Sequence, residues 1–209
     1  MRGFFITFEG IDKSGKTTQA RLLTDFLGRS GREVLLTQQP GGSPLCAEIW
    51  GVIRDRRHFG QMAPLAELML FAADRAQHVQ EVILPALEAG KVVVCDRYTD
   101  STVAYQGYGR GLDLDSIRTL NHTATGGLTP DLTFVIDVSV EEARRRGLGR
   151  AADRMEMEQV SFYGRVREGY LRIAASDPDR VTVFDGCDPM DRISEKVRTI
   201  VRARMKGEG

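Results

Sequence analysis

Five short apolar runs punctuate the chain at Phe4–Phe8, Val34–Thr37, Val92–Cys95, Leu132–Asp137 and Val181–Phe184. Each has little polar alternation, the pattern of a strand covered on both faces. Between them lie amphipathic stretches: Lys16–Gly28, Leu65–Ala89, Leu114–Ala124, Val140–Arg146 and Glu156–Ala175. In the last, Phe162, Val166, Tyr170 and Ile173 share one helical face and are expected in the core. Gly90 sits where a helix should stop before the third strand. Strands alternating with helices, joined by right-handed crossovers, give a parallel sheet between two helical layers, an α/β architecture. Neither repeat nor linker interrupts the pattern, so residues 1–209 are expected to form one domain.

Composition narrows the class of partner. Lys plus Arg and Asp plus Glu each number 29, and this zero balance argues against a general nucleic-acid binder. No apolar run approaches the roughly 18 residues that would cross a bilayer. Met1–Gly10 lacks the long apolar region and small-residue cleavage site of a secretion signal, so residence in the cytoplasm is expected. Cys46, Cys95 and Cys187 are far apart, form no C-x-x-C, and read as free thiols. His58, His78 and His122 are scattered and are assigned no catalytic role.

The densest chemistry lies at Gly10-Ile11-Asp12-Lys13-Ser14-Gly15-Lys16-Thr17, a complete G-x-x-x-x-G-K-[ST] between a predicted strand and a predicted helix. Glycines let backbone amides turn inward around phosphate oxygens, and the helix N-terminus adds its positive end. Lys16 then holds the β- and γ-phosphates of ATP, and Thr17 offers its hydroxyl to Mg²⁺. No N-K-x-D base-recognition motif follows, and the length suits a small-molecule kinase.

The third strand ends in Asp96-Arg97-Tyr98, at the edge where parallel sheets bind ligands. Asp96 is placed to bind Mg²⁺ directly or through water. Arg97 is placed to clamp an acceptor phosphate with its planar fork. In Ala66–Arg75, Phe71 and Arg75 stand at i and i+4, a ring and a donor on one face that suit a nucleobase; taken alone, such a pair is more often an ordinary core Phe beside a surface Arg. Tyr105–Gly111 reads as a glycine-rich loop, either against a ligand or at the surface. Arg144, Arg145, Arg146, Arg150 and Arg154 face a single acid, Asp153, with Gly147 and Gly149 between them. In a phosphate-binding protein such a segment, about residues 147–154, suits an arginine-bearing lid that closes over the reaction.

Taken in order, these motifs resemble the thymidylate kinase family over nearly the whole chain. Phe8–Thr18 resembles the family's opening, Pro40-Gly41-Gly42-Ser43 its P-G-G-[ST] turn, and Leu70–Arg75 its base-binding helix. Asp96-Arg97-Tyr98, Ala104–Gly107, Pro130-Asp131-Leu132 and Asp153–Glu156 follow in the family's order. The resemblance implies a P-loop kinase fold and Mg²⁺-dependent transfer from ATP to thymidine monophosphate, in a protein typically homodimeric. It implies that Phe71 stacks on thymine and Arg75 bonds its O4 edge. Arg97 would hold the acceptor phosphate, and Asp12 would lie near the 3′-hydroxyl and metal. Tyr105 would crowd the 2′ position, while Thr102 and Gln106 line the base pocket. Arg146 is the candidate for stacking on adenine, and Arg150 and Arg154 are candidates for the lid's catalytic arginine.

The chain departs from the family in three places. Thr37-Gln38-Gln39 stands where T-R-E is common. Trp50 replaces a phosphate-gripping arginine, for which Arg54, one turn on, is expected to compensate. Lys13 stands where bacterial members often have Gly, duplicating the lid's positive charge. These departures leave open a kinase for another pyrimidine acceptor, or a diverged protein that only binds nucleotide.

Overall fold

The computed structural model describes residues 3–148 and 153–206. Five parallel strands, β1 (Phe4–Glu9), β2 (Val34–Gln38), β3 (Val92–Asp96), β4 (Leu132–Asp137) and β5 (Val181–Asp185), form one sheet in the order β2-β3-β1-β4-β5. Each strand lies within one residue of its predicted bounds. The central three are buried along nearly their whole length, whereas β2 and β5 are edges and partly exposed, contrary to the expectation of burial on both faces.

Strand alternation decides what each residue meets. Phe4, Ile6 and Phe8 of β1, with Val94 of β3 and Phe134 of β4, face α1 (Lys16–Arg29) and α9 (Met190–Lys206), meeting Leu23, Leu27, Val197 and Val201. The opposite face packs Phe5, Val93 and Cys95 on Val79, Ile83 and Leu87, and Val135 on Phe162, Val166 and Tyr170 of α8 (Val160–Ser176). The same period sends Asp96 toward the start of α1 and Glu9 toward α8.

Further helices are α2 (Pro44–Arg54), α3 (Pro64–His78), α4 (Leu84–Glu88), α5 (Thr99–Thr102), α6 (Leu114–Thr125) and α7 (Val140–Arg146). The single helix expected over Leu65–Ala89 is α3 and α4 joined by a wider π-type turn, Val79–Ile83. α8 begins at Val160 rather than Glu156, because residues 154–157 form turns. The apolar pattern of α2 was missed, since Pro44 at its start and Gly51 inside it resemble loop residues. The stretch read as a loop after Tyr105 is instead a π-type helical segment, Val103–Gly109.

Glycine permits the close packing of that segment on α8. A Cβ on Gly109 would lie 2.7 Å from Phe162 and 2.9 Å from Val166, both core residues of α8. Gly109→Ala should destabilise the protein by about 1–3 kcal/mol. Thermal unfolding should register a fall in Tm of roughly 2–10 °C.

Candidate active site

The glycine loop bends through positive φ at Gly10 (132°), Lys13 (65°) and Gly15 (105°) before α1 begins at Lys16. A Cβ on Gly10 would come within 2.4 Å of the Ile136 carbonyl, so only glycine fits there. The first turn of α1 has no side-chain cap and no acidic residue. Its amides and dipole are therefore left to an anion.

Lys16 is buried, and burial followed by the nearby Arg97 charge lowers its pKa. The Thr17 hydroxyl donates to Asp96 Oδ2. Asp96 Oδ1 is buried without a partner among the described residues. Such a donor set of hydroxyl and hard carboxylate oxygen fits a cation such as Mg²⁺.

Arg97 stands at the carboxyl end of β3 with φ 72°, an uncommon conformation for a non-glycine residue and one met at functional sites. Its Nη2 donates to Asp12 Oδ1 at 2.8 Å and to the Tyr105 hydroxyl at 3.2 Å. Its Nη1 reaches the Gly10 carbonyl, Ser101 and Tyr170. Burial alone would raise the pKa of Asp12, but Arg97 and Lys16 hold its carboxyl far below the usual range.

Asp12, Lys16, Thr17, Asp96, Arg97, Ser101 and Tyr105 line one cleft, open to solvent, together with Phe71, Arg75, Thr102, Gln106, Gln39 and Trp50. Arg75 is 3% exposed, and its hydrogen-bond acceptors are all uncharged. Nε donates to Gln39 Oε1, Nη1 to Thr102 and Asn121, and Nη2 to the Tyr98 carbonyl. With Gln39 rather than an acid on Nε, none of these acceptors is a carboxylate, and one of the five guanidinium N–H groups is left over among the described residues.

Of the two arginines foreseen for the lid, Arg154 has other surroundings. Arg154 is 2% exposed; its Nη2 pairs with Glu67 at 2.7 Å and its Nε donates to the Ile53 carbonyl, and it is not itself among the residues that line the cleft. Arg150 lies outside the described residues. Arg146 braces the glycine loop, donating to the Ser14 and Gly186 carbonyls at 3.0 and 2.9 Å while paired with Glu142. Lys13 is paired with Glu156, which ties the loop to the turns at residues 154–157. Arg54, expected to compensate for Trp50, is exposed at the end of α2 and is not among the residues that line the cleft. Trp50, one turn earlier, occupies that place.

Several participants escaped the sequence reading. Tyr170 was read only as core, yet its hydroxyl reaches Arg97, Ser101 and Glu9. Tyr163, seven residues earlier and so on the same helical face, donates to Asp12 at 3.3 Å. Glu67 on α3 was passed over, although it is 1% exposed and gathers Gln106, Arg110 and Arg154. An acid in an otherwise apolar helical stretch was the available signal.

A family model described as "Thymidylate kinase" matches residues 8–197. A thymidylate kinase of Geobacter sp. (strain M21) is 48% identical over 214 residues, covering 99% of this chain and 95% of the relative. One from Nostoc punctiforme is 43% identical over 209 residues, covering 99% of each chain. The crystal structure of thymidylate kinase from Ehrlichia chaffeensis superposes with a TM-score of 0.78 at 36% identity, covering 97% of this chain and 99% of that one.

The buried Glu9 gives the site a pH signature. Its carboxylate accepts from the Tyr98 amide at 2.7 Å, Ser101 at 2.6 Å and Tyr170 at 3.1 Å. Burial and the Asp100 charge nevertheless raise its pKa from 4.5 to about 7. The folded state thus holds a proton that the unfolded chain releases. The stabilisation is complete below pH 4.5 and is lost as pH rises through about 7. Glu9→Gln, which stays neutral, should gain on the wild type by on the order of 2 kcal/mol between pH 4.5 and 8. Urea unfolding of both proteins across that range checks it. Comparing the two cancels His78, whose pKa burial lowers to about 4 and which acts in the opposite direction.

Proposed function

The chain belongs to the thymidylate kinase family, and on that premise we propose that it transfers the γ-phosphate of ATP to thymidine monophosphate, giving thymidine diphosphate. The observation that carries this reading is a single cleft shared by Lys16 and Thr17 of the glycine loop and by Phe71, Arg75 and Gln106, with Asp12 and Arg97 among its lining. One phosphate group therefore meets the loop while a second nucleotide has a ring and polar groups to bind its base.

In this reading Lys16 and the loop amides hold the β- and γ-phosphates, and Arg97 holds the acceptor phosphate. Phe71 stacks on thymine, and the N–H of Arg75 not used internally meets the O4 edge. Tyr105, donating to Asp12 at 3.0 Å and facing Arg97, crowds the 2′ position and favours deoxyribose. Arg146 supports the adenine side from beneath the loop. Thr17 and Asp96 would hold Mg²⁺, which when bound supplies positive charge to the phosphate oxygens. No cluster of three or more His, Cys, Asp or Glu suited to a metal occurs among the described residues. That fits a cation kept mainly by phosphate and water.

Attack by an acceptor phosphate oxygen on the γ-phosphorus needs no covalent intermediate, because positioning and charge neutralisation supply the rate. With Lys13 and Arg154 engaged by Glu156 and Glu67, Lys16, Arg75 and Arg97 are the cations among the described lining of the cleft, and Lys16 and Arg97 are the two beside the glycine loop. The exposed Leu45 and Val52 of α2 and Leu65 and Met69 of α3 suit a homodimer packed through these helices. We place this single-domain enzyme in the cytoplasm, where its unpaired thiols stay reduced.

With ATP and Mg²⁺, ADP release should be fastest with thymidine monophosphate and should cease on chelation. Faster turnover of uridine monophosphate or thymidine would overturn the acceptor assignment. Arg97→Ala should lower kcat/KM by about 10²–10³-fold. Arg54→Ala should leave the KM for thymidine monophosphate within about twofold, as befits an exposed charge. Steady-state kinetics of both variants checks each statement.

A further inference from the structure

Glu67 lies one helical turn before Phe71 on α3, and its 1% exposure puts a carboxylate beneath the base-binding face. Oε1 accepts from Gln106 Nε2 at 2.9 Å and from Arg110 Nε at 3.0 Å. Oε2 accepts from Arg110 Nη2 at 3.0 Å and pairs with Arg154 Nη2 at 2.7 Å. Burial would raise its pKa, but the hydrogen bonds from Arg110 and Gln106 and the surrounding charges lower it, so the group is an anion at neutral pH.

An ionised carboxylate can only accept hydrogen bonds. Gln106 must therefore turn its amide nitrogen toward Glu67, and its Oε1 is left for the cleft that Gln106 lines. The terminal torsion of glutamine is broad and roughly two-fold, so the amide has no strong preference of its own. The partner behind it decides which atom a ligand meets.

We infer that Glu67 is a positioning residue for acceptor specificity: by holding the Gln106 amide one way round, it makes the cleft accept a pyrimidine whose N3 carries a hydrogen and reject one whose N3 is a lone pair. This rests on the proposed reading of the cleft as the acceptor-nucleotide site. Thymine offers N3–H to the Gln106 oxygen, whereas cytosine would bring lone pair against lone pair. Arg110 and Arg154 keep Glu67 charged and fixed, so a contact two side chains removed from the base controls its reading. Position 67 filled by glutamine could instead donate to Gln106, and the flipped amide would then offer an N–H to cytosine.

The test compares kcat/KM for thymidine and deoxycytidine monophosphates in the full chain, as wild type, Glu67→Gln, Gln106→Met and the double variant. The thymidine-to-deoxycytidine ratio should fall about tenfold in Glu67→Gln. Gln106→Met should lower it similarly, and the double variant should show no further fall, since both changes act on one contact. Disturbing Arg110 and Arg154 alters both substrates alike and leaves the ratio untouched. An unchanged ratio in Glu67→Gln, with both activities reduced together, would overturn the inference and leave Glu67 a holder of arginines. If Glu67→Gln does not fold, an unchanged ratio in Gln106→Met overturns the inference by removing the amide from discrimination, and Glu67→Met, which withdraws the acceptor behind the amide, should lower the ratio if the inference holds and leave it unchanged if it does not. Wild type inactive on both nucleotides would instead sink the proposed function, and the inference with it.

Discussion

The ion pair between Arg97 and Asp12 joins the two halves of the site. β1 and β3 are adjacent, with Phe8 opposite Asp96, so the residues that follow them emerge side by side. One strand runs on into the glycine loop and the other into the turn that carries Arg97. The guanidinium spans them, gripping Asp12 and the Gly10 carbonyl while Tyr105 and Tyr170 close around it. A charge buried this way is tolerable only because it is paired and its hydrogen bonds are satisfied. Its left-handed backbone is sustained by the same contacts.

Alternation along the strands then distributes the chemistry. Asp96 points to the helix that begins at Lys16, where it meets Thr17; Glu9 points the other way, into the hydroxyls of Ser101 and Tyr170. Two carboxylates on neighbouring strands thus serve different surroundings. Asp96 has one oxygen without a partner among the described residues, beside the glycine loop, and Glu9, fully buried and near the Asp100 charge, has its pKa raised to about 7. The zero net charge of the chain conceals this local sorting.

Most of the frame was legible in the sequence, because buried strands and a glycine loop leave dense local signals. All five strands and the phosphate loop appear there, as do Phe71, Arg75 and Arg97, which the structure brings to one cleft. What escaped depends on pairings distant along the chain. Arg154 reads as a lid cation until Glu67 is seen beneath it, and Arg54 reads as a substitute for Trp50's missing charge until its exposure is seen. Tyr170 fits a core stripe so well that its hydroxyl went unread. Helix α2 begins with proline and carries a glycine, so its local propensity is weak and tertiary packing of Cys46 and Ile53 supplies the rest.

The π-type segment Val103–Gly109 brings Tyr105 and Gln106 into the same cleft, although neighbours in an ordinary helix diverge by about 100°. In the proposed reading, sugar and base contacts thereby fall to consecutive positions, and their facing depends on how many residues the widened coil holds. Substitutions within it alter one contact at a time. Loss or gain of a single residue would swing both side chains off the ligand together, so this stretch can drift in identity far more readily than in length.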